Sequence, residues 1–317
     1  MRKISDHIDF DAYNDVKEDH ANVHPASRYG DAVYDAIHGE DTDHGIYLPW
    51  KRANWFRLRP HETSIWAGIN GHGKSLLLGQ VMLHAMSQGD RVCIASMEMP
   101  AHTTLSRMCR QATGEQKPSR EQVNSFGDWT DDHLWIFDQI GTISPRRIVG
   151  VVKYAIHELG VQHFVIDSVM KCGINPEDMG GEKDLFDELT TVSKNYPVHI
   201  HVIDHIRKQQ NEYGKPGKFD VRGAGIKTDM VDNVIIVYRN KRKEHEIADY
   251  GQDGKKEILN QPDAYLLVEK QRNGTGLEGQ LGFWFHRDSM QYQSTDNPDP
   301  QHSISFQSEG EDDDPQR

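Results

Sequence analysis

Cysteine is scarce in this chain: three in 317 residues, Cys93, Cys109 and Cys172, all far apart. No Cys-x-x-Cys pair occurs, which leaves no basis for a zinc ribbon, and three scattered thiols make no disulfide framework. A reducing, cytoplasmic setting is expected. No apolar run approaches the roughly 18 residues a membrane span needs. The opening MRKISDHIDFD carries no apolar stretch like that of a signal peptide, so no membrane partner is expected. Internal repeats are absent as well.

Net positive charge is also missing, at −13 overall. That total argues against a nucleic-acid binder only if the acids are spread evenly, and they are not. Residues 1–44 carry eleven acids against four bases and residues 296–317 seven against one, which leaves 31 of each sign between them. A neutral body can present a local basic surface to phosphates. Three segments are therefore expected: an acidic arm over 1–44, one large domain over 45–295, and a disordered acidic tail over 296–317. Ala32, Val33, Ala36 and Ile37 fall on one face of a short helix in the arm, too little to fold alone.

The body alternates strand and helix. Strand-like runs occur at 64–69, 91–97, 133–138, 163–169 and 198–203, with helical stretches at 74–88, 100–112, 145–159 and 183–195. Such alternation predicts an α/β fold, a mostly parallel central sheet with helices on both faces. After about residue 230 only strands are expected (NVIIVYRN, AYLLVEKQR, GQLGFWFH), extending the sheet as an antiparallel edge.

Between the first strand and first helix lies Gly68-Ile69-Asn70-Gly71-His72-Gly73-Lys74-Ser75, which fits G-x-x-x-x-G-K-[ST] in the context that pattern needs. Gly68, Asn70, Gly71, His72 and Gly73 let backbone N–H groups converge on phosphates, helped by the helix dipole. Lys74 neutralises the β- and γ-phosphates and the Ser75 hydroxyl ligates Mg²⁺. The ligands implied are ATP, or another NTP or dNTP, and Mg²⁺. Asp167, ending the apolar strand HFVID, is the expected second metal ligand, with Asp138 at the end of WIFD as competitor. Glu98 in SMEMP reads equally as a base that polarises water or as a surface acid starting a helix. His205 ends the fifth strand at the phosphate-facing edge, where it could sense a γ-phosphate or simply be structural. His199 and His201 alternate with apolar residues and read as packed histidines rather than metal ligands.

Taken together, LPWKRANWFRLRP, GINGHGKS, SMEMP, FVIDS, VIDHIRK, VRGAGIKTDMVDNVIIVYRN and VEKQRNG resemble the RecA-like motor domain of DnaB-type (superfamily 4) replicative helicases, on the phage and Twinkle-like branch. The resemblance covers about residues 46–293. It implies a ring-forming, hexameric, ATP-dependent DNA helicase that moves along single-stranded DNA, 5′ to 3′, in the host cytoplasm if phage-encoded. It implies Glu98 as catalytic base, His205 as γ-phosphate sensor, and Lys270 with Arg272 reaching into the neighbouring subunit's site, Arg272 as a finger. Arg222, Gly223, Gly225 and Lys227 match a channel loop that contacts DNA. No aromatic lies in that segment, so backbone tracking without base stacking is expected. Residues 172–183 resemble a second channel-facing loop, without assigned contacts. Arg239 and Phe285 match a pair that sandwiches the nucleotide base. The helical stretch near 31–38 sits where relatives have a linker helix that packs on the adjacent subunit. Forty-odd residues before the motor are too few for a primase, so primase is expected on another chain. The acidic tail could dock a DNA polymerase or single-strand-binding protein. Two other classes share these features: a RecA- or RadA-like recombination ATPase, and a RecA-fold ATPase that is not a helicase.

Overall fold

The computed structural model describes residues 8–14, 25–38, 45–175, 178–206, 214–274 and 276–294. The acidic tail, all of the arm beyond 8–14 and 25–38, and residues 176–177 of the second expected loop lie outside them.

Strands β1 (Ile46–Tyr47) and β2 (Arg57–Leu58) form a small antiparallel ribbon. The main sheet contains β3 (Glu62–Gly68), β4 (Val92–Ser96), β5 (Leu134–Phe137), β6 (His163–Asp167), β7 (His199–His205), β8 (Asn233–Arg239), β9 (Ala264–Gln271), β10 (Gly279–His286) and β11 (Gln291–Gln293). Its order is β11-β10-β9-β8-β3-β7-β6-β4-β5. All neighbours from β8 to β5 pair in parallel, and β9, β10 and β11 add antiparallel strands.

The helices are α1 (Gly30–His38), α2 (Lys74–Ser87), α3 (Ala101–Thr113), α4 (Arg120–Thr130), α5 (Pro145–Leu159), α6 (Met179–Asn195), α7 (Ala224–Met230), α8 (Lys241–Tyr250) and α9 (Lys256–Leu259). Local chemistry marks several boundaries. Ser144 caps α5 by accepting from the Arg147 N–H, Pro145 occupies the first turn, and Gly160 closes the helix in the left-handed region. Ser119 and Gln122 form a reciprocal capping box on α4.

Two expectations need correction. NVIIVYRN, as β8, is parallel to β3 rather than antiparallel, because α7 intervenes as a crossover after β7. The stretch after residue 230 is also not helix-free, since α8 and α9 separate β8 from β9.

Alternation along the buried strands splits the core in two. Ile65 and Ala67 face a cluster with α5 and α6, while Trp66 faces the opposite cluster with α2 and α3. The arm contributes to the first. Phe10 is buried edge-on against Phe137 and Tyr154. It comes so close to α5 that a Cβ on Gly150 would lie 2.2 Å from the Phe10 carbonyl oxygen.

On the second face, polar side chains within the sheet form hydrogen-bonded chains. The Trp66 indole N–H, a donor only, donates to His201 Nδ1 (3.1 Å). His201 Nε2 must then donate to His163 Nδ1 (3.0 Å), and His163 Nε2 donates to Asp90 (3.1 Å). His199 donates from Nδ1 to the Arg59 carbonyl (2.6 Å) and accepts from Ser64 at Nε2 (2.7 Å). His199 and His201 are thus packed, and burial pushes His201 well below the usual imidazole range and His199 down to about 3.

Candidate functional site

β3 ends at Gly68 and α2 starts at Lys74, so the intervening residues must reverse the backbone at the carboxyl edge of the sheet. Gly73 does so with φ of 85°, a conformation side-chain-bearing residues resist. It also has no room: a Cβ there would lie 2.0 Å from the Tyr292 hydroxyl. The loop opens on a cleft of about 800 Å³ whose lining includes Asn70, Gly71, Gly73, Lys74, Ser75, Glu98, Arg107, Asp167, Lys171 and His205. Gly68 and His72 stand behind this lining. His72 is buried, accepts from the Arg239 backbone N–H at 3.1 Å, and is pushed down to about 4, first by burial and then by the cations Lys241, Arg239 and Lys74.

Lys74 Nζ donates to the carbonyls of Gly68 (2.9 Å) and Ile69 (3.2 Å) and lies 3.3 Å from His205 Nδ1. Burial lowers its pKa, while Asp167, Glu98 and Asp204 pull the other way. Asp167, at the end of β6, is 5% exposed, and burial raises its carboxyl pKa against an opposing hydrogen bond with Ser75. Ser75 and Asp167 present hydroxyl and carboxylate oxygens side by side. That hard-oxygen pair suits Mg²⁺, which takes few protein ligands and completes its shell with phosphate and water. The competitor Asp138 follows the outermost strand, β5, and does not line the cleft.

Glu98 lies two residues beyond β4. Its Oε1 accepts from the Ser168 hydroxyl at 2.5 Å and stands 3.8 Å from His205 Nε2. His205 is the largest influence holding this carboxyl down to about 2; partial burial opposes it, and Ser168 and Lys171 add to it. Lys74, Ser75, Glu98, Asp167 and His205, brought together by strand ends and one helix start, therefore share one cleft.

Arg239 and Phe285 flank the loop from β8 and β10. Arg239 donates to the Gly71 carbonyl (3.1 Å) and pairs with Glu244 (2.6 Å). Phe285 packs on Tyr292, with ring centroids 5.0 Å apart. Tyr292, pushed up to about 12 chiefly by burial, sets its hydroxyl against Gly73 of the loop, and the sequence reading missed it.

The segment resembling a DNA loop starts beside the cleft. Arg222 N–H donates to the His205 carbonyl (3.0 Å), and Val221 bridges Ile206. Arg222 is half-buried, Gly223 caps α7, and Gly225 has open space around it. Lys227 departs from expectation. It is 1% exposed and buried between Asp204 (2.7 Å) and Glu182 (3.1 Å), so its ammonium is already neutralised inside the fold. A phosphate contact by Lys227 is not compatible with that position. Lys270 and Arg272 lie at the other end of α7. Lys270 Nζ donates to the carbonyls of Thr228 (2.7 Å), Asp229 (3.0 Å) and Val231 (2.8 Å), and Arg272 donates to that of Asp229 (2.6 Å). Both cations rest on their own chain here.

Three further residues bear on the cleft without a sequence signal of their own. Ser168 and Lys171 follow Asp167 and act on Glu98. Arg107 of α3 lines the cleft and donates to the Met99 thioether (3.0 Å), a weak acceptor for a guanidinium. Nine residues past Glu98, on a helix of mixed composition, it carries no motif.

Comparisons with known proteins bear on the whole arrangement. The AAA_25 family, described as an AAA domain, matches residues 48–211. The Twinkle homolog protein, chloroplastic/mitochondrial, of Arabidopsis thaliana is 22% identical over 267 residues, covering 76% of this chain and 37% of that protein. The chain therefore spans little more than a third of that relative's length. A solved ATPase domain superposes with a TM-score of 0.68 at 16% identity, over 86% of this chain and 99% of that one. A DnaB-like replicative helicase, whose structure addresses its interactions with primase, gives a TM-score of 0.68 at 15% identity, over 85% and 68%. The chain belongs to the AAA_25 family of AAA domains, and its fold is the RecA-like one of these solved structures.

Proposed function

We propose that this chain is the motor of an ATP-dependent replicative DNA helicase, a hexameric ring that pulls single-stranded DNA through its channel, 5′ to 3′, and unwinds duplex ahead of it. The observation that carries the reading is the cleft in which Lys74, Ser75 and Asp167 face a carboxylate, Glu98, tied to His205 at the head of the DNA-loop segment. The matched DnaB-like helicase and the Twinkle homolog support the choice of helicase over recombinase.

Ser75 and Asp167 would hold Mg²⁺, which draws charge from the phosphates. Lys74 would leave the Gly68 and Ile69 carbonyls for the β- and γ-phosphates. Glu98 is ionised at neutral pH and orients water, but a carboxylate held near 2 is a weak base. If His205 turns to a γ-phosphate, Glu98 loses its main acidifying partner and its basicity recovers. The Arg222 N–H bonded to the His205 carbonyl would carry that movement to the DNA loop, where Arg222 and the backbone of Gly223 and Gly225 meet the strand. Lys270 and Arg272 would complete a neighbour's site, and α1, with Val33 and Ile37 exposed, would lie on an adjacent subunit. Arg239 and Phe285 would hold the base. Primase, polymerase or single-strand-binding protein would be partners of the ring, in a reducing, cytoplasmic compartment. Among the described residues no helix is long and apolar enough to cross a membrane.

Unwinding of a forked duplex with ATP and Mg²⁺ tests the reading. Strand exchange by filaments would replace it with a recombinase, and hydrolysis indifferent to DNA with a non-helicase ATPase.

A further inference from the structure

Among the described residues the most exposed large hydrophobic side chain is Phe219, at 81%. A Phe side chain gains by leaving water, so a ring left exposed on a fixed backbone invites an occupant. The backbone around it is fixed. Phe219 sits in the short turn Lys218–Asp220, closed by the Gly217 N–H donating to the Asp220 carboxylate at 2.8 Å. The Lys218 N–H leans on Glu269 of β9 (3.4 Å), and two residues later Val221 and Arg222 are tied to the end of β7.

The surroundings of the ring indicate what would cover it. Lys218 Nζ lies 5.7 Å from the ring centroid, and Lys215 and Arg222 flank the turn. Lys218 also stands 3.9 Å from Glu278, an exposed pair that contributes little. Between residues 214 and 222 no second exposed apolar side chain adjoins the ring, since Pro216 and Val221 are buried. Protein interfaces gather several apolar groups and are depleted in lysine. One outward aromatic among cations instead fits a stacking platform for a base, with the cations on the flanking phosphates.

We propose that Phe219 stacks on a base of single-stranded DNA while Lys218 and Arg222 take the adjacent phosphates. This replaces the expectation of backbone tracking alone, and it rests on the DNA-motor reading for its choice of ligand. The test is the affinity of the full chain for (dT)₁₆ and for the same oligonucleotide with abasic sites, across a salt titration. Phe219→Ala should weaken (dT)₁₆ binding roughly five- to 150-fold, the range of one base–aromatic stack, with the salt slope unchanged because no charge is lost. Phe219→Trp should retain affinity, and on the abasic strand wild type and Phe219→Ala should bind alike. Equal affinity of Phe219→Ala and wild type for (dT)₁₆, with Arg222→Ala still weakening it, overturns the stacking role and leaves the motor intact. A changed oligomeric state with unchanged affinity per assembled ring makes Phe219 a subunit contact and also overturns it. Wild type that binds no single strand overturns both readings together.

Discussion

Replacing Lys227 with methionine separates two incompatible roles for one residue. Methionine keeps the length and most of the packing volume of the lysine stem but removes the ammonium. In the folded chain Asp204 and Lys227 are both 1% exposed, with Glu182 closing the pair. Asp204 would then be a buried carboxylate without its cation, a change that costs about 3–5 kcal/mol. A domain of this size shifts by roughly 2–4 °C per kcal/mol, so thermal unfolding should fall by roughly 6–20 °C. Adding Asp204→Asn removes the stranded charge and should recover part of the loss, a positive coupling readable in a double-mutant cycle. Scanning calorimetry and urea denaturation of the four proteins measure it. The reasoning fails if Lys227→Met melts like wild type while its DNA affinity drops and its salt slope flattens. That result would put Lys227 on the DNA.

Arg272→Ala should abolish DNA-stimulated hydrolysis while nucleotide binding persists if, as proposed, the guanidinium serves a neighbour; equal loss of binding, read by nucleotide titration, counts against the cross-subunit role. His205→Ala should raise the Glu98 pKa from about 2, moving the acid limb of the hydrolysis pH profile upward, and an unmoved limb means His205 does not govern that carboxylate. Buried neutral histidines set a pH dependence of folding. With pKa values near 3 for His199 and 4 for His72 against 6.5 unfolded, the unfolded chain takes up protons first. Their stabilisation is complete above pH 6.5 and lost as pH falls toward 3, by about 1.4 kcal/mol per pH unit for each group. Urea midpoints at pH 7.5 and 5 should differ, and His199→Gln, which can still donate to the Arg59 carbonyl and accept from Ser64, should reduce that slope; an unchanged slope refutes the assignment.

What could be read from the chain alone follows how local each determinant is. The phosphate loop was legible because its glycines, its lysine and the strand and helix around it lie in one short run. Asp167 and Glu98 were legible as strand ends, but choosing Asp167 over Asp138 by geometry required the sheet order, which no single strand encodes. The crossover α7 was hidden because Gly223 and Gly225 lower helix propensity at its start. Its far end is satisfied by Lys270 and Arg272, some forty residues away. Lys227 looked solvent-facing because its partners Asp204 and Glu182 come from other elements. Tyr292 was invisible as a neighbour of Gly73, since nothing in the spacing of residues 73 and 292 brings them together.

The grip of Lys270 on α7 has a consequence for the order of events. An ammonium has three N–H bonds, and α7 uses all of them, on Thr228, Asp229 and Val231. On the proposed reading, in which Lys270 would reach a neighbour's phosphate, it must first let go of those carbonyls, so a filled neighbouring site and a fully capped α7 would exclude one another. The opposite end of that helix starts two residues after Arg222. One ammonium would then act as a two-position lever, and the helix it would release begins where the proposed strand contact lies.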